Sequence, residues 1–232
     1  MTGVDLTHMG CMLSVMACEP VTGVLGVALA SSSIAIGSRC PHIETGRAAI
    51  ANQGFTNLKV GPLALDLIGA NLTPSEVIEA LRQHDRWLDY RQIGIVTADG
   101  QIEAHTGEMA TGSAGHRVGE AELCLGNGLP DCGTLDTTLE ALRPQADEPM
   151  AERLLRGLEA AKSKLGDRFP VVSASLLVRA PLAESQIDLR VDFARLPVEE
   201  GGNALADLRN LYLDYLPLVE IYAARSVAPR PF

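Results

Sequence analysis

The chain has 232 residues, of which 47% are hydrophobic and 4% aromatic, and its formal net charge is -10. This length and apolar content predict a single large domain whose core is built mainly from aliphatic side chains. Lys and Arg do not cluster, so no nucleic-acid-binding surface is expected, and no segment has the roughly 18 unbroken apolar residues of a membrane helix.

The cysteines and the first residues indicate a cytoplasmic protein. None of the five cysteines belongs to a C-x-x-C pair, and no His or Cys pair has the spacing of metal ligands. We therefore expect reduced thiols, no disulfide framework and no zinc site. Residues 1–10 lack the basic start of a signal peptide, and Ser14, Cys18 and Glu19 interrupt the apolar run that follows. No cofactor and no contact with a membrane are expected.

The first strong pattern along the chain is a β-hairpin. Two apolar runs, at residues 12–18 and 24–30, flank a turn that ends at Gly23. Their nearly continuous apolar character indicates strands that are covered on both faces, in the centre of a sheet. Short strands are predicted next, at residues 34–37 and 48–52.

The middle of the chain alternates between helix and strand signals. Pro62 suits the first turn of a helix over residues 63–70, and Thr73 and Glu76 have the spacing of a capping box for a helix that ends near residue 83. A strong hairpin turn at Asp99-Gly100 joins two further predicted strands. The predicted strands of this region are residues 91–98, 101–106 and 122–125.

The last third predicts two helices, a hairpin and a final helix. The helices cover residues 133–143 and 149–165, and the hairpin strands cover residues 171–179 and 186–193. The final helix starts near residue 202, and Pro217 is expected to end or kink it. Its leucines recur at helical spacing, which indicates core packing or contact between subunits of a homo-oligomer.

The order of these elements predicts an α+β fold. Hairpins dominate and no β-α-β pattern occurs, which favours antiparallel sheets sandwiched by helices. No Pro-, Gly- or Ser-rich linker divides the chain. We therefore expect an N-terminal extension at residues 1–10 and one domain at residues 11–232.

Ten short segments occur in order along the chain: residues 14–17, 22–31, 51–57, 61–62, 91–96, 105–107, 114–119, 126–127, 166–168 and 188–192. As an ordered set they resemble domain-of-unknown-function family 1028 of bacteria and archaea. The resemblance implies the Ntn-hydrolase superfamily and its four-layer αββα sandwich of antiparallel sheets. It also implies hydrolysis of an amide or peptide-like bond in a small molecule, with the α-amino group of a new N-terminal residue as the base for its own side chain.

The chain departs from this family at the position of the nucleophile. Met12 stands where the family has a threonine that becomes N-terminal, and a thioether cannot act as an acyl nucleophile. The nearest candidate is Cys11, which cleavage after Gly10 would expose beside an α-amine. Because strand side chains alternate, Cys11 faces away from Met12 unless the strand end is bulged or frayed. The alternative is an unprocessed chain with an ordinary half-buried thiol.

Further candidate residues follow from the matched segments. Asn127 is predicted as a catalytic group, because an amide after Gly126 can stabilise an oxyanion. Each of the other candidates has a structural alternative in turn or backbone hydrogen bonding. The predicted substrate-binding residues are Ser31, Gln53, Asn57, His105, His116, Arg117 and Gly126.

Three hypotheses about function therefore remain open. The first is an Ntn-type hydrolase acting on an amide bond in a small molecule, with Cys11 as the nucleophile and Asn127 near the oxyanion. The second is a catalytically inactive relative that keeps the scaffold and binds a small ligand or partner, which Met12 favours. The third is a purely structural subunit of a homo-oligomer. A homo-oligomer is expected in all three cases.

Overall fold

The computed structural model describes residues 10–181 and 186–228. Residues 1–9 of the predicted extension lie outside the described residues, and its boundary stays a prediction. The strands are β1 (Met12–Glu19), β2 (Val24–Ser31), β3 (Pro41–Glu44), β4 (Ala48–Gly54), β5 (Arg91–Thr97), β6 (Ile102–Thr106), β7 (Ser113–Val118), β8 (Glu122–Leu129), β9 (Ser173–Arg179) and β10 (Gln186–Val191). The helices are α1 (Val60–Gly69), α2 (Pro74–His84), α3 (Gly133–Ala141), α4 (Met150–Leu165) and α5 (Ala204–Val227).

The strands form two antiparallel sheets. The six-stranded sheet has the order β10-β9-β2-β1-β8-β7, and the four-stranded sheet has the order β3-β4-β5-β6. The predicted hairpin of β1 and β2 lies in the centre of the larger sheet, as its continuous apolar character requires. Its tight turn uses Gly23 with a φ of 71°, a conformation in which glycine carries no steric penalty.

Alternation along β1 divides the molecule into layers. Leu13, Val15 and Ala17 pack in a core that includes residues of α3, α4 and α5. Met12 and Met16 point the other way, into a second core between the two sheets. A third core lies between the smaller sheet and the helices α1 and α2. The predicted four-layer αββα sandwich of antiparallel sheets is confirmed.

Several local predictions differ from the structure. Residues 34–37 do not form a strand; the chain makes a 3₁₀ turn at Ile36–Ser38, and β3 follows it. The edge strand β7 is absent from the predictions. The helix α5 continues through Pro217 to Val227. Among the described residues, no helix is long and apolar enough to span a membrane.

The histidine of β3 is expected to make the stability of the fold depend on pH. The ring of His42 packs against Gly61 of α1, where an added Cβ would lie 2.0 Å from the ring. Its Nε2 atom is buried and has no hydrogen-bond partner within the described ranges. Burial lowers the pKa of His42, because the charged form loses its hydration.

We expect the free energy of unfolding to fall as the pH drops below about 6.5, the ordinary pKa of histidine in an unfolded chain. Below that pH, His42 binds a proton in the unfolded chain but not in the folded protein. The free energy of unfolding therefore continues to fall until the pH reaches the lower pKa of folded His42. One such proton contributes at most about 1.4 kcal/mol per pH unit. Urea unfolding between pH 8 and 5 should show that the free energy of unfolding falls less steeply with decreasing pH in His42→Leu than in the parent protein. The exposed His84→Leu variant is the control, and an unchanged slope in His42→Leu would contradict this assignment.

Candidate functional site

A cavity of about 420 Å³ lies at the head of β1. In register, Met12 pairs with Ser31 of β2 on one side and with Asn127 of β8 on the other. Directly opposed residues of antiparallel strands point to the same face, so these three side chains meet at the cavity. The full lining is Gly10, Met12, Ser31, Ser33, Ile36, Arg39, Cys40, Gly54, Phe55, Thr56, Arg91 and Asn127.

The predicted nucleophile has its side chain on the other face of the sheet. Cys11 packs in the core between the larger sheet and the helices, with 8% of its surface exposed. Burial raises the pKa of the Cys11 thiol to about 12, so the thiolate that a nucleophile needs is scarce at neutral pH. Strand alternation thus separates Cys11 from Met12, and no bulge reverses it.

The serines after β2 bind the backbone at the strand head. The hydroxyl of Ser31 donates to the carbonyl oxygen of Cys11 at 3.1 Å, and the Cys11 N–H donates to the hydroxyl oxygen of Ser32 at 3.1 Å. Ser31 also accepts from the N–H of Ser33 at 3.0 Å. These bonds fix the entry of the chain into β1, while Ser31 still lines the cavity.

A buried network of amide side chains supports the cavity from behind. The Gln92 oxygen accepts from Asn127 Nδ2 at 2.8 Å and from Gln53 Nε2 at 2.9 Å. The Gln92 amide nitrogen donates to the carbonyl oxygens of Gly126 and Gly115 at 2.9 and 3.0 Å. Gln92 therefore connects both sheets and orients Asn127.

This network explains where two sequence predictions lie. Gln53 is fully buried, accepts from the Ser14 hydroxyl and does not line the cavity. Gly126 takes part through its carbonyl oxygen. Ser14 and Gln92 were not predicted as site residues from the sequence. A polar residue inside an otherwise apolar strand was the available signal in both cases, because a buried polar group needs a partner.

A buried ion pair forms another wall. Arg91 binds Asp85 through Nε at 2.6 Å and Nη2 at 3.2 Å, and its Nη1 donates to the carbonyl oxygen of Phe55. Asn57 Nδ2 also donates to Asp85 at 2.9 Å. Asn57 does not line the cavity. It instead binds Asp85, the partner of Arg91.

The pKa of Asp85 reflects these contacts. Burial by itself raises it, but hydrogen bonds from Arg91, from Asn57 and from the N–H of Trp87 outweigh burial and hold the pKa of Asp85 below its usual value. Asp85 is therefore ionised at neutral pH, and its charge compensates that of Arg91.

The remaining predicted residues lie away from the cavity. The Nε2 atom of His105 lies 3.1 Å from the Leu88 carbonyl oxygen. His116 bonds to the hydroxyl of Thr106 at 2.9 Å, and burial lowers the pKa of His116. The exposed Arg117 pairs with Asp136 at 2.6 Å. The structure thus brings Ser31 and Asn127 together, but it does not place these two histidines and Arg117 beside them.

A larger cleft of about 750 Å³ lies where several turns meet, and none of the predicted site residues lines it. Its charged groups are already paired: Glu44 binds Arg47, and Asp99 accepts from Thr97 and Gln101. In the described part of the chain, no group of three His, Cys, Asp or Glu residues could hold a metal ion. The cavity at the head of β1 remains the better candidate site.

The comparisons with known proteins agree with this fold. The family model of DUF1028, a family of unknown function, matches residues 13–201. The chain belongs to the DUF1028 family. A crystal structure of the DUF1028 protein SPO2555 from Silicibacter pomeroyi is similar to this chain, with 24% identity and a TM-score of 0.78 over 89% of this chain and 86% of that one. This likeness shows the shared fold.

A second solved structure has a much weaker likeness to this DUF1028 protein. Anbu (ancestral beta-subunit) from Yersinia bercovieri is 12% identical, with a TM-score of 0.39 over 95% of this chain and 98% of that one. A score this low supports no argument about function. The comparison with curated proteins found no match.

Proposed function

We propose that this DUF1028 protein binds a small molecule with a carbonyl or amide group in the cavity at the head of β1, without forming a covalent bond to it. The observation that carries the proposal is the register there, which places Met12 between Ser31 and Asn127. A thioether occupies the central position, and hydrogen-bonding groups flank it. Such a site can hold a carbonyl group, but the thioether at its central position cannot act as a nucleophile.

The Ntn-hydrolase superfamily is part of this proposal. The αββα layering and a cavity at the head of a central strand support it. In this view, the cavity derives from a hydrolase site. Asn127 uses one N–H for Gln92, and an amide nitrogen has two. The second N–H would bind the ligand oxygen that an oxyanion hole binds.

A working amide hydrolase is the second candidate. The observation that favours it is the backbone of Cys11, which Ser31 and Ser32 hold at the strand head. Cleavage after Gly10 would place an α-amine there. The buried side chain of Cys11 and its raised pKa count against this candidate. Intact mass after prolonged incubation separates the two: a full-length chain supports binding, and loss of residues 1–10 supports hydrolysis.

We expect Asn127→Ala to weaken the binding of small N-acyl amino acids about tenfold, which corresponds to one lost hydrogen bond of about 1.4 kcal/mol. Ligand-observed NMR titration at millimolar ligand concentration measures the change. Asn210→Ala, on an exposed part of α5, is the matched control and should bind as the parent protein does. If no such compound binds in a way that depends on Asn127, the proposed function is wrong.

Self-association is a further part of the proposal. The first half of α5 packs on the body of the protein through Leu205, Leu208 and Tyr212. The second half carries apolar side chains that remain largely exposed. A helix that is apolar on all sides is normally buried. The exposed residues are Leu213, Leu216, Leu218, Ile221, Tyr222 and Val227.

A second copy of the chain suits this surface, because the same apolar helix face of each copy can cover that of the other in a symmetric pair. We expect a dimer in light scattering coupled to gel filtration, and a shift to monomer in Leu218→Asp. Val21→Asp is the control, since Val21 is 96% exposed in the turn between β1 and β2. A monomeric parent protein would contradict this interface. A cytoplasmic location stays a prediction.

A further inference from the structure

The geometry points to the chemical class of the ligand: a carboxylate that also carries a flat apolar group, with Arg39 binding the charge and Phe55 contacting the flat group. This inference rests on the proposed function of the same cavity. It adds two residues, Arg39 and Phe55, that determine which carbonyl compounds are bound.

The charge of the cavity is positive although the chain is acidic. The sequence has 29 Asp and Glu against 19 Lys and Arg, yet the lining holds Arg39 and Arg91 and no carboxylate. Asp85 compensates Arg91 at 2.6 Å. Arg39 forms no ion pair with a carboxylate of the described residues. Its guanidinium donates to the carbonyl oxygen of Ile34 at 3.1 Å.

Arg39 therefore supplies the uncompensated positive charge of this cavity. A guanidinium has five N–H donors in a planar arrangement that matches a carboxylate. The bond to Ile34 uses one donor and orients the group. An anionic ligand would occupy the remaining donors without displacing an ion pair.

An aromatic cluster stands beside the same cavity. Aromatic residues make up only 4% of the chain, but three of them meet here. The ring of Phe55 meets Tyr90 edge-on at 5.7 Å, and Tyr90 meets Trp87 at the same distance. Phe55 lines the cavity and is still 58% exposed.

Hydrogen bonds fix the backbone of Phe55, and its ring packs edge-on against Tyr90. Its N–H donates to the Tyr90 carbonyl oxygen at 3.3 Å, and its carbonyl oxygen accepts from Arg91. A fixed aromatic side chain offers apolar contact area at little cost in conformational entropy. A flat ligand group that covers Phe55 would remove its exposed surface from water.

The other walls agree with a ligand of mixed character. Met12 and Ile36 form an apolar part of the lining, whereas Ser31, Ser33 and Asn127 form a polar part. A volume of about 420 Å³ falls within the range of small-molecule sites. An N-acylated amino acid with an aromatic acyl group has the carboxylate, the amide carbonyl and the ring that these walls require.

Three probe compounds distinguish the contributions that the ring and the charge of the ligand make to binding. Hippurate carries the ring, the amide and the carboxylate; N-acetylglycine lacks the ring, and hippuramide lacks the charge. Titration of the full chain by ligand-observed NMR should give the tightest binding for hippurate. Arg39→Gln should weaken hippurate at least tenfold and leave hippuramide within twofold. Phe55→Ala should weaken hippurate severalfold and leave N-acetylglycine within twofold.

Arg86→Gln is the matched control, because Arg86 lies over the ring of Trp87 but does not line the cavity. Equal binding of hippurate and hippuramide, or an Arg39→Gln variant that binds hippurate as the parent protein does, would overturn the inference. If binding nevertheless depends on Asn127, the proposed function stands without it. If no probe binds in an Asn127-dependent way, both fail.

Discussion

Replacing Arg91 by leucine is expected to lower the free energy of unfolding by about 3–5 kcal/mol, the usual cost of removing one partner from a buried ion pair. Arg91 and Asp85 have side chains only 10% and 7% exposed, and their atoms approach to 2.6 Å. Without Arg91, Asp85 would keep a buried charge with weaker partners. The carbonyl oxygen of Phe55 would also lose its donor. Urea unfolding at pH 7 measures the change.

The exposed pair of Arg82 and Glu79 provides the control for this prediction. Their side chains are largely in solvent and their charged atoms lie 3.7 Å apart, so Arg82→Leu should change stability by no more than about 0.5 kcal/mol. The double variant Asp85→Leu with Arg91→Leu should cost less than the sum of the single changes, because no isolated charge remains buried. Equal effects for Arg82→Leu and Arg91→Leu would show that the buried pair does not stabilise the cavity wall.

Replacing Gln92 by leucine is the second change with a large expected effect. The side chain of Gln92 is fully buried; its oxygen accepts from Gln53 and Asn127, and its nitrogen donates to Gly126. Leucine has a similar size but leaves these groups without partners. Each unsatisfied buried group costs about 1–3 kcal/mol, so we expect a loss of at least about 3 kcal/mol.

The same variant should also lose ligand binding, because Asn127 would no longer be oriented toward the cavity. Unfolding curves and NMR titration with hippurate measure the two effects on one sample. Gln83→Leu, on an exposed position of α2, should leave both unchanged. A Gln92→Leu protein with parental stability would mean that water replaces the lost partners, and the network would not be needed to support the site.

Local sequence signals predicted the elements whose stability depends on neighbouring residues. The capping box of Thr73 and Glu76 forms as expected, with both reciprocal hydrogen bonds present at the start of α2. The central hairpin of β1 and β2 follows from two apolar runs and a glycine turn. In each case, the groups that interact lie close together in the chain, so spacing alone is informative.

Elements that depend on distant partners were predicted poorly. The strand β7 is an edge strand with a register irregularity between Ser113 and Gly115, and its sequence shows no regular alternation. It forms because β8 offers an unpaired edge. Similarly, β3 is an edge strand that pairs with β4 in the described sheet, and its four residues are too few to show a period.

That Cys11 and Met12 face opposite sides of the first strand follows from the sequence alone, because side chains alternate along any strand. The sequence also shows that the polar residue Ser14 interrupts the apolar run of that strand. Only the tertiary structure decided that the cavity opens on the Met12 side, and that Gln92 joins Gln53 and Asn127 in one network. Sheet order and register bring together side chains from strands that are far apart in the chain. Both depend on packing between layers, which no local pattern encodes.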